Sequence, residues 1–144
     1  MSRTPLLISG SRRINRAGLA YAEKCVRRAK ERGDMYVVVG DAKGIDSHVI
    51  AICNAIGLDY FCYGIDSEPR CTTAKTYICL EETIVARTRK EAFRQRDLLM
   101  LDHVRKNNGR VMCISNGNYD GGTAQVYKYG LLYNVPSDMK IFGK

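Results

Sequence analysis

Three glycine-rich segments of the sequence combine backbone freedom with polar or basic side chains. They are Gly10–Arg13 (GSRR), Gly40–Gly44 (GDAKG) and Gly117–Thr123 (GNYDGGT), and each follows an apolar run. Glycine lets the backbone approach a ligand closely and adopt positive φ. The free N–H groups and the dipole of a following helix then favour a phosphate. The three segments therefore predict anion-binding loops, to which Ser11 and Thr123 add hydroxyl donors.

Two familiar phosphate-binding motifs do not occur at these segments. None of the three matches the dinucleotide fingerprint GxGxxG or the P-loop pattern GxxxxGK[ST], which excludes an NAD-dependent dehydrogenase and a P-loop ATPase. No serine or cysteine has a recognisable histidine partner, and we expect His48 and His103 on helix surfaces. The six cysteines include no CxxC pair, so we expect no metal, no disulfide and no cofactor.

The elements that position these segments alternate in their apolar period. Apolar, β-branched runs predict strands at Pro5–Ile8, Met35–Val39, Leu58–Tyr63, Arg110–Ile114 and Met139–Phe142. Apolar residues at three- and four-residue steps predict helices at Arg16–Arg32, Ile45–Ile56, Arg89–Lys106 and Thr123–Tyr133. Residues 64–76 are predicted as a loop. Residues 77–88 are ambiguous: Tyr77–Leu80 fits a short strand, and Glu81–Arg87 fits the opening of a helix.

Strands that alternate with helices along the whole length predict βαβ units and a parallel sheet. We therefore expect an α/β fold, a Rossmann-like three-layer sandwich with a mainly parallel central sheet, in a single domain of residues 1–144. In such a sheet, ligands bind beyond the carboxyl ends of the strands. All three glycine-rich segments are predicted to lie at these ends.

The charge balance indicates an anionic partner. The 144 residues include 23 Lys and Arg against 15 Asp and Glu, a net charge of +8. No apolar run approaches the about 18–20 residues that span a bilayer, and we expect no leader, no membrane contact and a cytoplasmic location. One group of cations lies at or near the predicted ligand loops: Arg12, Arg13, Lys43, Arg94 and Arg96. A second group decorates the outer face of the first helix: Lys24, Arg27, Arg28, Lys30 and Arg32.

The glycine-rich segments resemble those of the SLOG superfamily, which includes Smf/DprA DNA-processing proteins, lonely-guy phosphoribohydrolases and YspA-type stand-alone proteins. The resemblance lies in Ser9–Arg12, in Gly40–Asp46 and in Gly121–Thr123, and it extends over residues 6–142. The AKGID stretch is similar to the A-[RK]-G-[IA]-D element of DprA and YspA-type members. Arg94 and Arg96-Asp97 resemble the R-[ND] stretch of the family. The resemblance implies a Rossmann-like sheet, a nucleotide-derived ligand over the loops, and a homodimer or tetramer.

Seventeen residues are predicted to bind the ligand. They are Gly10, Ser11, Arg12, Arg13, Gly40, Asp41, Lys43, Gly44, Asp46, Arg94, Arg96, Asn118, Tyr119, Gly121, Gly122, Thr123 and Gln125. Two roles stay open for Asp46, because a carboxylate in a first helical turn stabilises the helix dipole and also accepts from two ribose hydroxyls. Tyr63 and Tyr119 are candidates for stacking on a purine.

One departure from the family bears on catalysis. Lonely-guy hydrolases carry acidic residues shortly after the threonine of PGGxGTxxE, whereas Thr123 is followed by Ala124, Gln125 and Val126. The amide of Gln125 is able to hydrogen-bond a ribose hydroxyl, but it carries no negative charge for an oxocarbenium-like centre. We therefore expect a non-catalytic protein that senses or sequesters an ADP-ribose-type or cyclic nucleotide signal. A viral sponge against nucleotide-signalling immunity, acting in the host cytoplasm, is one form of this function.

Two alternatives remain at this point. The first is a nucleoside 5′-monophosphate N-ribohydrolase or deoxyribosyltransferase, with a carboxylate from Asp46, Asp120 or Glu82. The second is a module that resembles the Smf/DprA core and binds single-stranded DNA, with a steep dependence on salt.

Overall fold

The computed structural model describes residues 3–119 and 121–144, and Asp120, one of the candidate carboxylates, lies outside the described residues. In this part of the chain, six strands are β1 (Thr4–Gly10), β2 (Met35–Val39), β3 (Tyr60–Gly64), β4 (Tyr77–Cys79), β5 (Arg110–Ser115) and β6 (Ser137–Ile141). Four helices are α1 (Arg16–Arg32), α2 (Ile45–Ile56), α3 (Arg89–Lys106) and α4 (Gly122–Leu132). None of these helices is long and apolar enough to cross a membrane.

The six strands form one sheet in the order β4-β3-β2-β1-β5-β6, and every pair of neighbours is parallel. In the register of the sheet, Leu7 of β1 lies between Val38 of β2 and Val111 of β5. The strand order reverses on either side of β1, which creates a crevice between the loops that follow β1 and β5. The expected Rossmann-like fold is confirmed, with a sheet that is parallel throughout rather than mainly so.

The two faces of the sheet bury separate apolar clusters, because successive side chains of a strand point to opposite faces. Ile8 and Val37 pack on the side covered by α1 and α2. Leu7 and Val38 pack on the side covered by α3 and α4, together with Met100 of α3. Burial on both faces explains why β1 and β2 are apolar without interruption. The result is a three-layer sandwich.

The helix boundaries follow from local signals in the sequence. Asn15 caps α1 by accepting from the Gly18 N–H at 3.0 Å, and Gly33 ends the helix with a φ of 77°. The Thr88 hydroxyl caps α3 by accepting from the Glu91 N–H at 3.1 Å. This cap sets the start of α3 and resolves the ambiguity before it, since Tyr77–Cys79 is a strand and no helix begins at residue 81.

The loop that joins β3 to β4 is unusual, because it connects two parallel neighbours without a helix. It is held to the sheet by local hydrogen bonds, since the Tyr60 hydroxyl accepts from the Lys75 N–H at 2.8 Å and the Cys62 N–H donates to the Thr76 carbonyl at 2.8 Å. The Tyr77 hydroxyl donates to the Asp66 carbonyl at 2.6 Å. The segment predicted as a loop is therefore a loop, and it is anchored along β3 and at the start of β4.

Candidate functional site

A cleft of about 760 Å³ opens at the carboxyl ends of β1, β2 and β5, where the strand order reverses. Eleven of the predicted site residues line it: Gly10, Ser11, Arg12, Arg13, Lys43, Asp46, Arg96, Asn118, Gly121, Gly122 and Thr123. A volume between about 300 and 1,000 Å³ is typical of sites that bind small molecules and cofactors. The three glycine-rich segments thus converge on one cavity.

Hydrogen bonds join the three loops around this cleft. The Ser11 hydroxyl accepts from the Asn116 N–H at 2.9 Å, and the Asn116 side chain donates to the Arg13 carbonyl at 2.8 Å. The Ser11 carbonyl accepts from the Ile45 N–H at 3.3 Å, which connects the loop after β1 to the start of α2. Gly44 makes this approach possible, because its φ is 82° and a Cβ there would lie 2.5 Å from the Ser11 carbonyl oxygen.

The rim of the cleft, which we define as Arg12, Arg13, Lys43 and Lys144, carries positive charge. All four residues are exposed, and within residues 3–119 and 121–144 none of them forms an ion pair. The first turn of α4 meets the same cavity at Gly122 and Thr123. The residue that precedes the helix, Gly121, makes no side-chain cap hydrogen bond, and it lines the cleft as well. Cations and the N-terminal end of a helix together favour an anionic ligand group.

The floor of the cleft, which we define as Asp41, Asp46, Arg96 and Asp97, is a buried network of charges. Arg96 is 8% exposed, and its Nε and Nη2 donate to Asp97 Oδ1 at 3.2 and 3.0 Å. Its Nη1 donates to Asp41 Oδ1 at 3.2 Å, while Asp46 Oδ2 accepts from the Ala42 N–H at 3.2 Å. A Cβ on Gly40 would lie 2.7 Å from Asp46 Oδ2. Glycine at that position therefore lets the backbone pass closely over the network.

The electrostatics of the floor favour a proton on Asp46. Burial raises the pKa of Asp46 to about 7, although the nearby Arg96 cation and the Ala42 N–H act in the opposite direction. Burial also raises the pKa of Asp97, again against the effect of Arg96. A carboxyl that titrates near neutrality both donates and accepts hydrogen bonds, and it is suited to general acid–base chemistry.

Two residues that the sequence did not point to form one wall of the cleft. Arg70, in the loop between β3 and β4, donates to Asp41 Oδ1 from Nε at 2.9 Å and from Nη2 at 2.7 Å. Its backbone N–H donates to Asp41 Oδ2 at 2.9 Å, and its guanidinium carbon lies 4.3 Å from the centre of the Phe93 ring. The sequence carried no signal for Arg70, which stands in a polar loop without periodicity. Phe93 was visible only as an apolar position of α3.

The remaining predicted site residues do not line the cleft. Gly40, Asp41 and Gly44 support it from beneath, and Asp41 is only 1% exposed. Arg94 lies exposed on α3, Tyr119 is 77% exposed, and Gln125 is half-buried on α4. The candidate carboxylate Glu82 is exposed outside the cavity as well.

The structure corrects the expectations for Tyr63 and His103. The Tyr63 hydroxyl lies 2.6 Å from His103 Nδ1, and the Tyr36 hydroxyl lies 2.8 Å from His103 Nε2. His103 is therefore half-buried between two tyrosines rather than a free helix-surface residue, and burial lowers its pKa. Tyr63 does not line the cleft, so it is not placed to stack on a ligand there. The sequence did not predict these contacts, because the apolar period of α3 gives no information on which strand residues lie beside His103.

Solved structures share this fold at low sequence identity. DNA processing protein A from Helicobacter pylori, which binds single-stranded DNA, matches with a TM-score of 0.72 and 12% identity over 96% of this chain. DNA processing protein A from Streptococcus pneumoniae matches with a TM-score of 0.75 and 15% identity over 95% of this chain. The Moco carrier protein from Chlamydomonas reinhardtii matches with a TM-score of 0.68 and 12% identity, covering 95% of this chain and 75% of its own.

These likenesses bear on the fold alone, because every identity lies well below the level at which function carries over. The chain spans 65% of the Helicobacter protein and half of the Streptococcus protein. No protein-family model matches the sequence, and no curated protein sequence matches it. The Rossmann-like sheet implied by the SLOG resemblance is thus confirmed.

Proposed function

We propose that this chain binds a phosphorylated nucleotide-derived ligand, an ADP-ribose-type or cyclic nucleotide signal, and so senses or sequesters it. The observation that carries the proposal is the convergence of the rim cations and the start of α4 on a single cleft. The SLOG-like motifs support a nucleotide as the source of the phosphate. Sequestration as a viral sponge against nucleotide-signalling immunity is one form of this proposal.

The proposal is tested by calorimetry with ADP-ribose, its cyclic isomers and nucleoside monophosphates. Replacing both Arg12 and Arg13 by Gln removes two rim cations, so we expect affinity to fall about tenfold or more. The matched control replaces Arg27 and Arg28, an equally adjacent pair that is exposed on α1 outside the cleft. The control has the same net charge and should bind as the wild type does. Absence of binding below about 100 μM for every ligand, about 5.5 kcal/mol, would end the proposal.

A second candidate, the hydrolysis or transfer of an N-glycosidic bond in nucleoside 5′-monophosphates, is favoured by one observation. Asp46 lines the cleft beside Arg96, and its pKa of about 7 suits a general acid or base. Release of free base from AMP or a deoxynucleotide, lost in Asp46→Asn, would support catalysis. Binding without any release of base would support the signal-binding proposal instead.

Single-stranded DNA is a third candidate ligand, supported by the fold shared with the DNA-binding protein from Helicobacter pylori. This candidate predicts that the affinity for oligonucleotides falls steeply as the salt concentration rises, because several phosphates release their counterions on binding. A competition experiment with a mononucleotide tests where DNA binds. If DNA occupies the cleft, it should weaken the binding of the mononucleotide. If DNA lies elsewhere, the mononucleotide should bind equally well in its presence.

A homodimer or tetramer forms part of the proposal. Leu131, Leu132 and Tyr133, at the end of α4, are 52%, 67% and 47% exposed, and such clustered apolar side chains commonly mark protein contacts. Light scattering after size exclusion would give the mass directly. Six free thiols support the cytoplasm, a reducing compartment, as the place of action.

A further inference from the structure

We infer that Arg70 is a specificity-determining residue that binds a second phosphate group of the ligand, apart from the one held at the rim. The inference rests on the proposed function and narrows it to a nucleotide-derived ligand with at least two phosphate groups. It concerns a loop that contains none of the glycine-rich segments.

The guanidinium of Arg70 is fixed before any ligand arrives. It donates twice to Asp41 Oδ1, and its plane is supported by the ring of Phe93 at 4.3 Å. Asp41 is 1% exposed and is itself held by Arg96, so it offers a rigid acceptor. A side chain that is already ordered loses little entropy when it binds, which increases the affinity that each contact provides.

The outer edge of this guanidinium is available to a ligand. The hydrogen bonds to Asp41 use Nε and Nη2, and within the described residues Nη1 has no protein acceptor. The side chain remains 29% exposed and lines the cleft. Nη1 together with the second N–H of Nη2 makes a planar fork, the geometry that binds two oxygens of a phosphate.

Arg70 and the glycine-rich start of α4 are connected through the floor. Contacts run from Arg70 to Asp41, from Asp41 to Arg96, and from Arg96 to Asp97. Asp97 Oδ2 in turn lies 3.7 Å from the position of a Cβ on Gly122. The two anion-binding groups thus contact different members of the floor, Asp41 for Arg70 and Asp97 for the start of α4. A ligand with two phosphate groups is able to contact both.

The test compares two probes that differ by one phosphate, AMP and adenosine 3′,5′-bisphosphate, by calorimetry. Wild type should bind the bisphosphate about tenfold or more tightly than AMP, as a charge-assisted pair of hydrogen bonds implies. In Arg70→Gln this ratio should fall to about one, because only the bisphosphate loses a contact with the guanidinium. The matched control is Arg89→Gln, an arginine 5.3 Å from the same Phe93 ring that lies outside the cleft, and it should keep the wild-type ratio.

Several outcomes would overturn the inference. A ratio near one in wild type, or an unchanged ratio in Arg70→Gln, excludes a phosphate on Arg70. An equal loss for both probes would make Arg70 a structural residue only. If Arg70→Gln does not fold, Arg70→Lys keeps the charge without the fork, and its ratio should fall below that of wild type. Should neither probe bind while ADP-ribose does, this inference fails and the proposed function stands; if no nucleotide binds, both fail.

Discussion

The rim and the floor of the cleft both contain arginine, but in opposite surroundings. Arg12 and Arg13 at the rim are exposed and form no ion pair within the described chain, whereas Arg96 is buried among three carboxylates. Exposed charges contribute little to folding, while a buried ion pair depends on both of its partners. Substitutions at the rim should therefore change ligand binding with little effect on folding. The floor must be complete for the cleft to exist.

The largest expected effect is on the floor. Arg96→Met removes the cation that Asp97 and Asp41 share, and it leaves Asp97 buried without a partner of opposite charge. Removing one partner of a buried pair costs about 3–5 kcal/mol of unfolding free energy. Denaturation by urea would measure the loss as a lower midpoint with an unchanged slope.

The rim supplies the control for this prediction. Arg13→Met makes the same chemical change at an exposed position, and its unfolding free energy should stay within about 0.5 kcal/mol of wild type. Equal losses in the two variants would contradict the distinction between rim and floor.

A smaller effect concerns the proton on Asp46. Its pKa is about 7 in the folded chain against 3.8 as the ordinary value, so between these values the folded state holds a proton that the unfolded state has released. The contribution of Asp46 to stability is therefore fully present below about pH 4 and is lost as the pH rises through about 7. Asp46→Asn, in which residue 46 is neutral at every pH, should lack this decrease of the unfolding free energy with rising pH.

The measurement is the urea midpoint of wild type and variant across that pH range. The difference between the two curves isolates Asp46, since the half-buried carboxylates Asp66 and Asp102, whose pKa values are lowered by ion pairs, contribute a slope of opposite sign that is the same in both proteins. Asp138→Asn, at the edge strand β6, serves as the control and should follow wild type. Parallel curves for wild type and Asp46→Asn would show that Asp46 is ionised throughout.

The sequence predicted the frame of the cleft better than its walls. Helices α1, α2 and α3 begin and end as expected, and local residues set these ends: Asn15 and Gly33 for α1, and Thr88 for the start of α3. The glycine-rich segments were also predictable, since the carboxyl ends of parallel strands meet at one edge. Arg70 and Phe93 were not, because their contact joins residues 23 positions apart across an aperiodic loop. A pattern of local periods contains no information on such a pairing.

The same limit explains Asp41 and Arg94. Asp41 stands in a glycine-rich segment and is a natural candidate to touch a ligand, yet two arginines from distant parts of the chain, Arg70 and Arg96, occupy its oxygens. Arg94 differs from Arg96 by two positions, which on a helix turns its side chain away from the cleft to solvent. Only the packing of α3 decides which arginine faces inward.

The smallest expected effect lies at Gly44, where the loop after β1 meets the loop after β2. Gly44→Ala places a Cβ 2.5 Å from the Ser11 and Arg12 carbonyl oxygens, in addition to the strain of a φ of 82°. Gly33→Ala has a similar φ of 77° but nothing within 4 Å, so it isolates the backbone term, about 1–2 kcal/mol. We expect Gly44→Ala to lose more unfolding free energy than Gly33→Ala. It should also weaken ligand binding, because the Ser11 loop must move away from α2; equal stability losses with unchanged binding would mean that the two loops are not coupled through this contact.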